Sequence, residues 1–264
     1  MNRSAQELRW LRTGGTAPLL AFVHGMEDGW ESWAPLVELL APGWRAVAFD
    51  LPWRSGNDYG WRHTGAGDWV ARCLAVLDEP VAVLVGHSLG ATAVLGLLAD
   101  RSAHATAPAG RAVLLAPFYR PPELPVSWAV FERCRREFDA IVTQGLRVRL
   151  GRRAALVDAE LRELIVAKMV DRIGPIGFLA LFEHFLATAD LSLGDVRTPT
   201  LVLAGGTDPC LAGGRAEALA SRMPAATVRI RPQYDHFCHV AQAADVAKEL
   251  LGFVADPARE EINA

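Results

Sequence analysis

The sequence predicts an α/β fold built on a mostly parallel, doubly wound sheet, with a helical lid inserted late in the chain. One observation is a set of short runs rich in valine and leucine: Leu19 to Val23, Ala46 to Phe49, Val81 to Val85, Ala112 to Ala116, Thr200 to Ala204 and Thr227 to Ile230. Each has strand length and is apolar at nearly every position, as strands covered on both faces are; half-exposed strands alternate instead. The second observation is what lies between them. Helix-length segments carry apolar residues three and four apart, as in Trp33, Leu36, Val37 and Leu40, or Trp69, Ala71, Leu74 and Leu77. Alternating strand and helix make a parallel sheet with helices on both faces, and place functional residues beyond the carboxyl ends of the strands.

One interval breaks the alternation. From Phe118 to about Asp195 no strand pattern occurs, and a proline-rich entry at Pro117, Pro121, Pro122 and Pro125 leads into helical stretches. Leu161, Leu164, Ile165 and Met169 make one apolar face there, and Phe178, Leu181, Phe182 and Phe185 another. An apolar stripe on a helix is first of all a buried face, so core packing is expected for most of them. The expected division is a core of residues 1–117 and 196–264, with 118–195 as the lid.

Size and charge narrow the function. With 264 residues, 51% hydrophobic and 22% charged, the chain can bury one large core and carry a modest insertion. A formal net charge of −3 leaves no overall basic surface for nucleic acid. The segment Met1 to Trp10 is polar and charged, and no later stretch approaches the roughly 20 apolar residues a membrane helix needs. The expectation is a soluble cytoplasmic protein with no nucleic-acid or membrane partner. Cys73, Cys134, Cys210 and Cys238 show no C-x-x-C spacing, so neither a metal site nor a disulfide framework is indicated, and no cofactor is expected.

The chemistry-bearing motif follows the third apolar run. Val81 to Val85 leads into Gly86-His87-Ser88-Leu89-Gly90, and a helix pattern runs on to about Asp100. A sharp strand-to-helix turn strains Ser88, the flanking glycines remove side chains that would clash, and the hydroxyl is thrust outward. The backbone N–H of Leu89 opens the helix and points where a carbonyl oxygen would become negative. The competing interpretation is a phosphate-binding or purely structural turn. After the first run, Gly25 lets the chain turn so that the Met26 N–H can join that of Leu89 as an oxyanion hole, where losing one donor costs about 3 to 4 kcal/mol of barrier. His24 is read as a loop anchor.

The fifth run ends in Gly205-Gly206-Thr207-Asp208-Pro209, a glycine-rich loop presenting a carboxylate. Asp208 is the natural acid of a triad, and helix capping ahead of Pro209 is its bland alternative. The last run leads to His236, the expected base, with His239 as competitor and Asp235 a poor orienter because adjacent side chains diverge. The order Ser88, Asp208, His236 is that of one widespread hydrolytic arrangement.

These residues resemble the α/β-hydrolase superfamily: the His24-Gly25 loop, the Gly86-to-Gly90 elbow, the late Asp208 and the His236-Phe237-x-His239 ending. The resemblance spans roughly residues 18–255. It implies a cofactor-free hydrolase of esters, thioesters, lactones, amides or carbon–carbon bonds, and a serine at the elbow counts against dehalogenases and epoxide hydrolases, which use aspartate there. Where many relatives carry a glycine-rich turn after the second strand, this chain has Pro52, Trp53, Tyr59 and Trp61. These aromatics either wall the pocket or pack the loop down. The substrate-binding candidates are Trp53, Tyr59, Trp61, Trp128 and Phe182, and the expected substrate is a small molecule with a medium-sized apolar acyl or alcohol group. Two other activities stay open. One is a non-hydrolytic cyclase or binding protein on the same fold. The other is a thioesterase acting on carrier-bound acyl groups, suggested by seven arginines between Arg133 and Arg153 against Glu137 and Asp139, an excess that an acidic acyl carrier protein could meet.

Overall fold

In the computed structural model, which describes residues 7–13, 16–40, 43–57, 60–100, 108–151 and 157–256, the apolar runs become adjacent strands of one sheet. These are β2 (Leu19–Val23), β3 (Arg45–Asp50), β4 (Val81–His87), β5 (Arg111–Leu115), β6 (Thr200–Gly205) and β7 (Ala226–Arg231). A further strand, β1 (Glu7–Arg12), completes the order β1-β3-β2-β4-β5-β6-β7. All neighbours are parallel except β1, which runs antiparallel to β3 with Leu8 opposite Phe49 and Trp10 opposite Val47. The polar, charged start therefore holds a strand that the sequence pattern did not announce. An edge strand covered on one side needs few apolar residues, and Trp10 at 43% exposure shows how little this one buries.

Strand side chains alternate between two faces, and both faces are dry. On one, Ala21, Val23, Phe49, Leu84, Leu114 and Val202 pack beneath α2 (Ala66–Leu74), α3 (Leu89–Ala99) and α6 (Arg215–Arg222). On the other, Leu20, Phe22, Ala48, Val85, Val113 and Leu203 pack beneath α1 (Ala34–Leu39) and α8 (Ala243–Val254), with Trp33 and Phe253 filling the ends. Each fully buried Val, Leu or Phe contributes roughly 1.5–3 kcal/mol by leaving water. Continuous apolar runs follow from this two-sided cover.

Between β5 and β6 lie α4 (Trp128–Leu150) and α5 (Ala159–Ala187). Each starts on a side-chain cap: Ser127 accepts from the Val130 N–H and Asp158 from the Leu161 N–H. Gly174, at φ 64°, interrupts α5 just ahead of Pro175, so the element bends there. Phe131 of α4 meets Phe178 and Phe182 of α5 at ring distances of 5.3 and 5.2 Å. Phe178, Phe182 and Phe185 are buried, as the stripe predicts, but Leu161 and Leu164 are 45% and 51% exposed. The first turns of α5 therefore leave these two side chains largely in solvent. None of the described helices is long and apolar enough to cross a membrane.

Helix α3 crosses the sheet at very close range. A Cβ added at Gly90 would lie 2.3 Å from the Val23 carbonyl oxygen, and one at Gly86 2.7 Å from the Ala91 Cα. Farther along the same helix, a Cβ at Gly96 would meet nothing within 4 Å. Gly90→Ala should therefore destabilise the protein by about 2 kcal/mol or more, since backbone must move. Gly96→Ala should stabilise it by roughly 0.5–1 kcal/mol, as alanine does in a helix interior. Denaturant unfolding of the two variants checks both signs, and equal effects would refute the packing argument.

Candidate active site

Ser88 joins β4 to α3 with φ 53° and ψ −120°. A side-chain-bearing residue there costs on the order of 1–3 kcal/mol and persists only where its surroundings dictate it. They do so here: the Ser88 N–H donates to the Leu115 carbonyl at 2.9 Å, and the Ser88 carbonyl accepts from the Thr92 N–H at 3.0 Å. With its backbone held on both sides, the residue presents its hydroxyl at the carboxyl edge of the sheet.

Two other loops at that edge complete a chain of side-chain contacts. His236 Nε2 lies 2.9 Å from Ser88 Oγ, and His236 Nδ1 lies 3.1 Å from each carboxylate oxygen of Asp208. The two loops are stapled to each other. The Gly206 N–H donates to the Arg231 carbonyl at 3.0 Å, and Thr207 Oγ1 donates to the Tyr234 carbonyl at 3.3 Å. Asp208 also caps the turn behind it, accepting from the Cys210 N–H at 3.0 Å, so capping and contact with His236 are both its work. Burial opposes its ionisation, but the neighbouring His236 ring and the hydrogen bonds outweigh that, and its carboxyl lies below the ordinary range. A buried carboxylate thus holds Nδ1 as the donor and leaves Nε2 to accept from the serine, an arrangement that makes a hydroxyl nucleophilic. Cys210 Sγ comes within 3.7 Å of His236 Nδ1, but burial and the Asp208 charge push its thiol well above its ordinary value, so it stays protonated.

The loop after β2 faces the same point. His24 fixes it: Nδ1 donates to the Gly25 carbonyl at 2.7 Å, while Nε2 accepts from the Leu51 N–H at 3.0 Å. Gly25 packs against Ser88, where a Cβ would lie 3.1 Å from the serine Cβ. Among the described residues, neither the Met26 nor the Leu89 N–H donates to another backbone group, and Met26 lines the cavity beside Ser88. Next to it, Glu27 adopts φ 56°, and its carboxylate receives both the N–H and the hydroxyl of Ser55.

Behind these loops lies a second polar group. His239, in the short α7 (Cys238–Ala241), is fully buried and stands 3.8 Å from Asp28, with its ring centre 4.1 Å from that of His87. His87 Nε2 donates to the His236 carbonyl at 2.8 Å. Asp28, His87 and His239 set ligand-type atoms within 4.8 Å of one another, as do Asp208, Cys210 and His236, whose donors are engaged with each other. Asp235 accepts from the Phe237 N–H at 2.8 Å and shapes the turn.

Above Ser88 is a cavity of about 650 Å³, counting its open mouth. Its walls include Phe118, Phe138, Ile141, Val142, Met169, Ile173, Leu181 and Phe237. The loop aromatics are not among them. Trp53 is fully buried against His24 and Trp61, at 5.8 and 6.3 Å, and Trp61 stacks on His184, so these two pack the loop down. Trp128 is 70% exposed on the outside of α4, and Tyr59 lies outside the described residues. Phe182 lines an adjoining cavity. What the sequence pattern missed is the part α4 plays: Gln144 accepts from the His236 N–H at 3.3 Å, and Phe237 packs against Gly145. A glycine in mid-helix was the available signal. Of the seven arginines, Arg133 pairs with Glu137, Arg135 with Asp139 and Arg149 with Asp28, while Arg152 and Arg153 lie outside the described residues.

Residues 20–249 match the model of the Alpha/beta hydrolase family. Similar solved structures include a thioesterase domain from the curacin biosynthetic pathway (17% identity, TM-score 0.57, 94% of this chain and 100% of that one). A lipase-esterase related protein from Clostridium acetobutylicum is 15% identical, with TM-score 0.59, covering 94% of this chain and 99% of its own. A laboratory-evolved potato epoxide hydrolase is 17% identical, with TM-score 0.62 over the same shares. No curated protein sequence matches the chain. At these identities the likeness extends to the fold.

The buried histidines carry a pH signature. Burial holds His24 and His87 below the ordinary imidazole value of 6.5. Above that pH the rings are neutral in both states; below it the unfolded chain takes up protons that the folded one refuses, so stability is lost as pH falls. The unfolding midpoint should fall from about pH 6.5 toward pH 5, and less steeply in His24→Asn. Thermal scans across that range check it, and a midpoint constant with pH would overturn it.

Proposed function

Because this chain belongs to the alpha/beta hydrolase family, we propose that it is a serine hydrolase that cleaves an ester or thioester of a medium-sized apolar small molecule through an acyl-enzyme on Ser88. The observation that carries this reading is the unbroken contact from Ser88 Oγ to His236 Nε2, at 2.9 Å, and from His236 Nδ1 to Asp208, at 3.1 Å.

In the first half-reaction His236 Nε2 takes the Ser88 proton while Oγ bonds to the acyl carbon. The carbonyl π electrons move to oxygen, and the N–H groups of Met26 and Leu89 receive the resulting charge. Asp208 holds the imidazole in place and balances the imidazolium that forms. That imidazolium protonates the departing alcohol or thiol as its bond to carbon breaks. Water then enters, gives its proton to His236 and attacks the acyl carbon, and Ser88 leaves with the proton returned. The strained elbow supports this reading because the serine needs no reorganisation to attack.

The apolar walls contributed by α4 and α5 fit a hydrocarbon or aryl acyl group, and the helices serve as its cover. Ion pairs engage Arg133, Arg135 and Arg149 of the seven arginines, and the apolar walls favour free small-molecule esters as the proposed class. A binding protein or cyclase would not need Ser88, His236 and Asp208 in contact, which disfavours both.

Against p-nitrophenyl esters from acetate to decanoate, the wild type should turn over the medium-length members best. Ser88→Ala and His236→Ala should each lose at least about a thousand-fold in kcat/KM. Asp208→Asn should lose a comparable factor through the wrong imidazole tautomer. A fluorophosphonate probe should label the wild type and spare Ser88→Ala; equal labelling, or equal turnover, would sink the assignment.

A further inference from the structure

The apolar space does not stop at the cavity above Ser88. A second cavity, of about 420 Å³ counting the open space at its mouth, shares Phe118, Phe138, Ile141, Leu181 and Cys210 as walls with the first. The two adjoin along these walls beside Cys210, adjacent to the Asp208 turn, and we take them together as one channel. The far part is lined by aromatic rings, among them Phe178 and Phe185, and its charged lining residues are Glu137 and Arg215. They stand opposite each other: Arg215 Nη2 lies 3.7 Å from Glu137 Oε1, longer than a direct hydrogen bond.

Part of this pair is explained by the fold. Arg215 Nη1 donates to the Cys210 carbonyl at 3.2 Å, and the guanidinium lies 5.7 Å from the centre of the Phe185 ring, so one donor and one face are used in holding the Asp208 turn. Glu137 also faces Arg133, at 4.0 Å. Its carboxyl is pushed above the ordinary value by burial, against the pull of Arg215 and Arg133, so the charge is held there at a cost. A guanidinium has five N–H donors and a carboxylate two acceptor oxygens, so together they offer an unspent donor and an unspent acceptor to whatever fills the channel.

We propose that the far cavity is a subsite for a neutral hydroxyl group at the distal end of the substrate's acyl chain, its oxygen accepting from Arg215 and its proton donated to Glu137. The proposal rests on the reading of Ser88 as the acylated residue. A group of either charge fits worse, because a carboxylate would meet Glu137 and an ammonium would meet Arg215. A terminal methyl offers neither group a hydrogen bond, and sites that hydrogen-bond a substrate hydroxyl discriminate against the analogue that lacks it.

The test uses p-nitrophenyl esters from hexanoate to dodecanoate, each in plain, terminal-hydroxy and terminal-carboxylate form. At the chain length that spans the channel, the wild type should prefer the hydroxy ester over the plain one by about ten-fold in kcat/KM, with the carboxylate poorest. Glu137→Gln should raise the carboxylate-to-plain ratio by about ten-fold, a gain that misfolding cannot produce. Arg215→Met should erase the hydroxyl preference. The matching methyl esters, titrated into Ser88→Ala protein, should bind in the wild-type order. The subsite is overturned if no chain length favours the hydroxy form in either turnover or binding, or if Glu137→Gln leaves the ratios unchanged. Ser88-dependent turnover without hydroxyl preference removes the subsite and keeps the nucleophile. Tighter binding of the hydroxy ester by Ser88→Ala, with turnover independent of Ser88, keeps the subsite and removes the nucleophile.

Discussion

Everything at this site depends on how closely α3 approaches the sheet. With hydrogen atoms in place of Cβ at Gly86 and Gly90, the helix begins almost in contact with the Val23 and His24 carbonyls, and the chain must reverse within one residue. That residue is Ser88, and its positive φ is the geometric cost of the reversal. The strain is met by the core. Large apolar side chains of α3 and β4 are buried on both sides of the turn, and the cost of the elbow is small beside their burial. Stability made in the sheet is what allows the Ser88 backbone to be held in a conformation that a side-chain-bearing residue would not choose.

The parts of the fold that the sequence made legible are those whose residues have one physical use. A run such as Leu201 to Leu203 in β6 is apolar at every position because both sides of the sheet are covered. The elbow was legible for the same reason, since only close backbone approach requires glycine on both sides of a serine. β1 escaped because an edge strand needs only half a pattern. Trp53 and Trp61 were ambiguous because an aromatic ring serves a pocket wall and a packed loop equally well, and the structure uses them for packing. The stripe of Phe178, Phe182 and Phe185 in α5 was read as a buried face and is one, but a helical wheel does not show which turns are covered, as exposed Leu161 and Leu164 demonstrate. Glu137 and Arg215, far apart in sequence, carried no signal in a linear pattern.

Asp208 shows why assigning one role per residue misleads. Its carboxylate caps the turn through Cys210 and meets His236 at the same time. The two uses are cooperative: the Cys210 N–H helps keep the carboxyl ionised despite its burial, and the cap fixes the carboxylate where the imidazole needs it. Arg215 extends the same logic by holding the Cys210 carbonyl on the other side of that peptide. Asp208 is therefore positioned by its own turn as well as by the bonds from Gly206 and Thr207 to the loop that carries His236.

The helices between β5 and β6 are tied to both loops that face Ser88. α4 receives the His236 N–H through Gln144 and gives Arg149 to the Glu27 carbonyl and the Asp28 carboxylate; α5 gives Arg172 to Ser55, which in turn caps onto Glu27. These are single polar contacts in series with a broad apolar interface, and Gly174 gives α5 a hinge-like break above them. A cover attached in this way cannot shift without pulling on the histidine loop from one side and on the Met26 loop from the other.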